Sequence, residues 1–235
     1  MTARLLCGLL VLGLATPTLA DFSGKGELGL VFARGNSETE TGNARFDLIY
    51  QEERWTNESN LSAVYARDSG ETSANRFVLA NKTDYSLDEE SYVLGALRYD
   101  RDQFSTFRFQ STVSVGYGRK LIDTERHNLK AEIGPGFRFA EIRDTGESEN
   151  EIIGRGFAEY AWTISETTTL TNRTLVESGS DNTFVENILG LTLAINSRLA
   201  LQTGFTVRHN TDVDPARKKT DTLTTVNLVY NFGAK

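Results

Sequence analysis

From residue 24 to residue 232 the chain repeats one pattern, in which apolar and polar residues alternate with a period of two. Leu28, Leu30 and Phe32 interleave with Lys25, Glu27, Gly29 and Ala33, and Ala44, Phe46, Leu48 and Tyr50 interleave with Asn43, Arg45 and Asp47. The same alternation runs through Phe107 to Tyr117, Leu129 to Phe139 and Val226 to Phe232. Successive side chains of a strand point to opposite faces, so each segment carries one apolar and one polar face. No stretch holds a helical period for long. The chain is therefore all-β, with strands expected near 24–34, 40–52, 55–67, 73–86, 91–101, 106–121, 127–142, 150–164, 167–178, 183–195, 198–210 and 219–232.

Strand length narrows the architecture. These segments run to about 10 to 16 residues, against about 5 to 6 for strands of soluble proteins, and a tilted strand crosses a bilayer in about 9 to 11. The connections alternate as well. Those around Glu53, 86–90, 122–126, 165–166 and 196–197 are compact, while 35–39, 68–72, 102–105, 143–149, 179–182 and 211–218 are generally longer and polar. Aromatic residues gather at segment ends: Phe32, Tyr50, Trp55, Tyr65, Phe77, Tyr85, Tyr99, Phe107, Tyr117, Phe139, Tyr160, Trp162, Tyr230 and Phe232. An even strand number, unequal ends and two rings of aromatics describe an antiparallel up-and-down transmembrane β-barrel of about twelve strands. The alternative is a soluble secreted β-sandwich acting as a binding module, whose apolar face would be the core. A mean hydropathy of −0.35 excludes a bundle of apolar helical spans but not a barrel.

Residues 1–20 read as a secretory signal peptide: Arg4, an apolar run from Leu5 to Ala15, and the small-residue ending Thr18-Leu19-Ala20. Residues 21–235 then form the outer-membrane barrel domain. Loss of the leader would remove Cys7, the single cysteine, so no disulfide is expected. With 25 basic and 32 acidic residues, the chain lacks the excess of cations that nucleic acid requires.

In a barrel, the charges that alternate with the lipid-facing residues point inward. By this parity Lys25, Glu27, Arg45, Asp47, Lys82, Asp84, Arg98, Lys120, Lys130, Glu132, Arg138, Arg155, Glu159, Arg173, Glu177 and Arg208 face the lumen. A lysine or arginine on the lipid face would cost about 2 to 4 kcal/mol at the bilayer midplane. Two readings follow: an aqueous pore whose charges set selectivity, or a lumen plugged by pairs of opposite sign. Twelve strands lie between the filled interior of eight and the open channel of sixteen.

Other chemistry is thinner. His209 falls on the outward parity near the longer loops, where a lipid-hydrolysing site needs a hydroxyl nucleophile and a third group to orient the ring. Neighbouring strands there offer Thr183, Thr220 and Thr222 but no serine at a matching level. His127 falls at the opposite end, so the two histidines make no metal site. Acidic loop residues such as Asp212 and Asp214 lack the spacing of a calcium loop. Gly24-Lys25-Gly26 and Gly134-Pro135-Gly136 lie inside strands and read as bends or close strand packing, not as phosphate cradles. No catalytic, cofactor-binding or metal residue is assigned, and no cofactor is expected.

Four stretches carry a resemblance: Gly24-Lys25-Gly26-Glu27-Leu28-Gly29 with Arg34-Gly35-Asn36-Ser37; Val115-Gly116-Tyr117-Gly118; Glu132-Ile133-Gly134-Pro135-Gly136-Phe137-Arg138; and the tail from His209 through Lys218-Lys219-Thr220-Asp221-Thr222 to Leu228-Val229-Tyr230-Asn231-Phe232. Together they resemble the salt-induced outer-membrane protein family (YdiY-like), a domain family of unknown function, over 21–235. The resemblance implies an outer-membrane barrel of a Gram-negative bacterium, reached by export through the periplasm. The expected role is non-enzymatic: a structural barrel of the envelope, linked to stress, or a narrow channel for small solutes or ions. The alternative is a lipid-modifying, phospholipase-like enzyme. Expected partners are outer-membrane lipids, lipopolysaccharide and the barrel-assembly machinery, which would read Tyr230 and Phe232 as a C-terminal signal; a monomer is the favoured state. Gly233-Ala234-Lys235 extend beyond the aromatic ending typical of such proteins.

Overall fold

A computed structural model describes residues 21–33, 39–215 and 217–233. The expected leader, most of the first outer connection and the last two residues lie outside the described part. Twelve strands follow in order: β1 (Asp21–Ala33), β2 (Thr39–Glu52), β3 (Trp55–Asp68), β4 (Glu71–Ser86), β5 (Ser91–Asp102), β6 (Phe107–Asp123), β7 (His127–Ile142), β8 (Ser148–Ser165), β9 (Thr168–Ser178), β10 (Thr183–Ala194), β11 (Leu199–Asn210) and β12 (Thr220–Gly233). Each is antiparallel to the next, and β12 returns to β1 to close the ring. The closed ring, with no second sheet facing it among the described residues, overturns the sandwich alternative.

Period two becomes an inverted solubility pattern. Leu28, Ile133 and Ile152 are 56, 72 and 76 % exposed, whereas Glu132 and Arg138 are 4 and 1 % exposed. The apolar face is thus outside, facing lipid, and the charged face is the interior. Aromatic contacts bind the rims: Trp55 and Tyr85 lie 4.8 Å apart, and His127 stacks on Tyr160 and Trp162 with Nδ1 2.8 Å from the Tyr160 hydroxyl.

The closing seam is short. β1 pairs with β2 from Asp21↔Gln51 to Ala33↔Thr39, but with β12 only from Ser23↔Gly233 to Leu28↔Leu228. Phe232 fastens this seam on the lipid side, with its ring 5.6 Å from Phe46 and 6.2 Å from Phe22. It crosses over Gly24, where a Cβ would stand 2.5 Å from the ring. Gly134 likewise packs against the Val115 carbonyl, so both glycine motifs mark close strand packing.

Several expectations need correction. The β3–β4 connection is a two-residue turn, Ser69 and Gly70, both at positive φ, so that end is not uniformly longer. β6 continues to Asp123 because a register shift between Lys120 and Ile122 lets pairing with β7 run on to Asp123↔Asn128. Phe107, expected in a girdle, points inward and is buried, as are Tyr92, Leu94, Ile153 and Phe184. An interior crossed by side chains needs filler, and a purely polar lining would leave voids. Gly118 makes room for one such filler, since its Cβ would stand 2.3 Å from the Tyr92 ring.

Candidate functional site

The lumen is where charge is concentrated, and the topology decides which charges meet. Arg98 and Asp100 project inward from β5, Glu186 from β10 and Arg208 from β11. β5 and β11 stand six strands apart in a ring of twelve, on opposite walls. Arg208 nevertheless pairs directly with Asp100. Arg98 Nη2 donates to the same carboxylate at 2.9 Å, and Glu186 lies 3.1 Å from Arg208 and 3.6 Å from Arg98. Both guanidinium groups stand over the Phe184 ring, 4.9 and 5.0 Å from its centre. Arg76 and Arg208 approach Asp102 at 3.9 and 3.6 Å. This bridge spans the outer half of the lumen from wall to wall.

A second group lies nearer the short turns. Lys82 Nζ donates to Glu132 at 2.7 Å and lies 3.0 Å from Asp84 and 3.6 Å from Glu58. Glu132 also accepts from Arg155 at 2.8 Å and from the Tyr92 hydroxyl at 2.9 Å. Lys130 joins Glu58 at 3.5 Å to Glu159 at 3.4 Å, and Glu159 pairs with Arg173. The chain of contacts crosses from β3 and β4 to β7, β8 and β9. Along β1 and β2 the pairs stay local: Lys25 with Glu27 at 2.8 Å and Arg45 with Asp47 at 3.0 Å.

Arg138 acts differently. Its Nη2 donates to the carbonyls of Glu177 and Asn182, at 3.1 and 3.0 Å, and it faces Glu151 at 3.5 Å. Thr112 donates to the Glu177 carboxylate at 3.0 Å. Glu151 also accepts the Asp181 N–H, so loop 179–182 is tied down over the lumen. Neighbouring loops interlock with it. Asp212 N–H donates to Asn182, Asp214 N–H to Thr106, and Arg217 to the Phe104 carbonyl at 2.7 Å. Arg143 donates to the Ser105 and Phe107 carbonyls at 3.1 and 3.2 Å; burial, with Arg217 close by, pushes its pKa down.

Beneath the bridge lies a cavity of about 1030 Å³. Arg98, Glu177 and Glu186 line it under the bridge, Val64 and Arg76 line it farther out on the β3–β4 side, and Asn196, Ser197 and Arg198 line it at the short-turn rim. The fourteen charges from Lys25 to Glu177, without Lys120, all make lumenal ion pairs or hydrogen bonds. Lys120 does not: it lies exposed at the short-turn rim, paired with Asp123. Parity reasoning passed over Glu58, Asp100 and Glu186, although each shares the inward alternation of its strand, and over Phe184, an aromatic on that same parity. His209 Nδ1 lies 2.8 Å from the Thr220 hydroxyl, two of the three groups a hydrolytic site needs. Among the described residues, no cluster of His, Cys, Asp and Glu is placed to hold a metal ion.

A closed ring of twelve antiparallel strands, apolar outside and charged within, defines an up-and-down transmembrane β-barrel. Solved structures share this fold. The NanC porin superposes with a TM-score of 0.53 at 11% identity, over 91% of this chain and 99% of its own. An outer membrane channel from Pseudomonas putida F1 gives 0.52 at 12% identity, over 94% and 97%. The chain belongs to the family described as "Protein of unknown function, DUF481", which matches residues 26–232. It is 26% identical over 179 residues to the uncharacterized protein YdiY of Escherichia coli (strain K12), covering 76% of this chain and 68% of that one.

Proposed function

We propose that this protein is a non-enzymatic barrel of the Gram-negative outer membrane, a narrow channel for small solutes or ions held closed at its outer side. One observation carries the reading: the Asp100–Arg208 pair joins opposite walls of the barrel, with Arg98, Glu186 and Phe184 packed around it. A pore lined by separated charges would leave its axis free. Buried, paired charges are also screened little by salt, so the bridge is a plug rather than a selectivity ring. The cavity that reaches the short-turn rim is then a vestibule open to the periplasm. Export through the periplasm, a leader at residues 1–20, lipid and lipopolysaccharide surroundings, and assembly through Tyr230 and Phe232 belong to the same reading. So does the stress-linked envelope role implied by the resemblance.

Solute flux tests it. Liposomes holding the wild-type protein should exclude a neutral disaccharide, whereas an Asp100→Ala/Arg208→Ala protein, which removes both partners together, should admit it. Equal uptake by the two would sink the proposal.

A lipid-modifying activity has one observation behind it, the His209–Thr220 pair at the outer rim. Fatty-acid release from phospholipid vesicles that disappears in Thr220→Val would favour that reading instead.

A further inference from the structure

The lipid-facing surface of a barrel meets no water that could satisfy polar groups. On this barrel that surface is interrupted at mid-strand by amides. The registers Tyr160↔Asn172↔Leu189↔Phe205 and Ala158↔Thr174↔Asn187↔Val207 run across β8 to β11. Leu189 and Phe205 are exposed to lipid on this face, while Arg173 and Glu186 of the same strands enter the lumen. Asn172, Thr174 and Asn187 therefore face outward.

The three side chains form a hydrogen-bonded group. Asn172 and Asn187 exchange Nδ2–H···Oδ1 bonds of 3.2 and 3.1 Å, and Asn187 Nδ2 donates to Thr174 at 2.8 Å. Asn187 spends both amide hydrogens. Thr174 donates in turn to Asn172 Oδ1 at 3.4 Å, so Asn172 Oδ1 is doubly occupied, while Asn172 Nδ2 has one acceptor and one N–H to spare, and Asn187 Oδ1 and Thr174 Oγ1 each keep a lone pair. Beside the group, the outward positions of β8 between Ile152 and Tyr160 are only Gly154, Gly156 and Ala158, so the surface is recessed there.

We propose that this patch on β8, β9 and β10 is the contact face of a dimer formed with a second copy of the chain. Acyl chains offer neither donors nor acceptors, whereas an amide is both and so complements its own copy. A two-fold axis along the membrane normal keeps both barrels in the same orientation and brings each residue to the depth of its counterpart. Small residues then let the two walls approach, and polar groups bond across the contact.

A second outward group, Asn57, Ser59, Asn81 and Thr83, lies across the ring on β3 and β4. It does not serve. Both of its amide nitrogens already have two acceptors, and Asn57 and Thr83 are adjacent to the Trp55–Tyr85 pair at the rim, where headgroups and water reach.

Cysteine cross-linking in membranes tests the contact. Cys7 is the only cysteine, so a Cys7→Ser background admits single probes in the full chain. Ala158→Cys should form a covalent dimer on oxidation, and Leu97→Cys, on lipid-facing β5, should not. Adding Asn172→Leu and Asn187→Leu should lower the Ala158→Cys dimer at least about fivefold while heat-modifiable gel mobility still reports a folded barrel. Thr174→Cys provides a second probe if Ala158→Cys does not assemble. Equal cross-linking at 158 and 97, or none at 158 and 174 in folded protein, would overturn the dimer. Cross-linking of Ala158→Cys only to a barrel carrying Asn81→Cys would overturn it in favour of a head-to-tail row.

Discussion

Two single residues show how local chemistry is used at each end of the barrel. In the β4–β5 turn, Asp88 accepts the backbone N–H groups of Glu90 and Ser91 at 2.9 and 2.7 Å, and these bonds lower its pKa from the ordinary 3.8. A lowered folded value means that the stabilisation is present above the unfolded pKa and fades as pH falls below it. Protection of the Glu90 and Ser91 amides, measured against the exchange of unstructured amides at the same pH, should therefore persist down to pH 3.8 and be lost only below it; loss with a midpoint above that value would contradict the turn geometry. At the other end, Arg138 is buried with two backbone carbonyls and Glu151 as partners. Arg138→Ala strands Glu151 and frees loop 179–182, so denaturant unfolding in detergent should show a loss of about 3 kcal/mol. Unchanged stability would mean that the loop is held elsewhere.

Among the elements, the seam is the weakest link. Every other strand pair holds a longer ladder than the stretch joining Ser23–Leu28 to Leu228–Gly233, and Phe232 supplies the aromatic contact that spans it. Phe232→Ala should accordingly lower the heat-modifiable, assembled fraction in membranes several-fold, and Phe232→Tyr should largely keep it. The strands were legible in the alternation because a membrane barrel applies the same rule, apolar outside and polar inside, to every one of them. The faces of Lys25, Glu132 or Arg173 follow from parity alone. What parity does not contain is distance across the ring. Asp100 and Arg208 are 108 residues apart and meet only because twelve strands close; both lie on the inward parity, but no local signal marks them as partners. Phe107 and Phe184 were misplaced or missed for a related reason: an inward aromatic at a strand end looks in sequence like a girdle residue. Asn172 and Asn187 show the converse, polar residues on the outward parity that the alternation alone would assign to lipid.

For the whole molecule, the architecture is a ring sealed unevenly. The outer half is crossed by the Asp100–Arg208 bridge and covered by loops pinned through Arg138, Arg143 and Arg217, while a cavity of about 1030 Å³ reaches the short-turn rim. Buried pairs are poor sources of net stability but costly to break singly, which suits a closure that is well defined and removable only as a unit. Single-channel recording in planar bilayers across a salt gradient tests this closure most directly. The wild-type protein, shown to be folded, should give no sustained openings, and the Asp100→Ala/Arg208→Ala protein should give discrete steps with a measurable reversal potential. Steady wild-type openings of the same size as those of the double variant would contradict a lumen closed by that bridge.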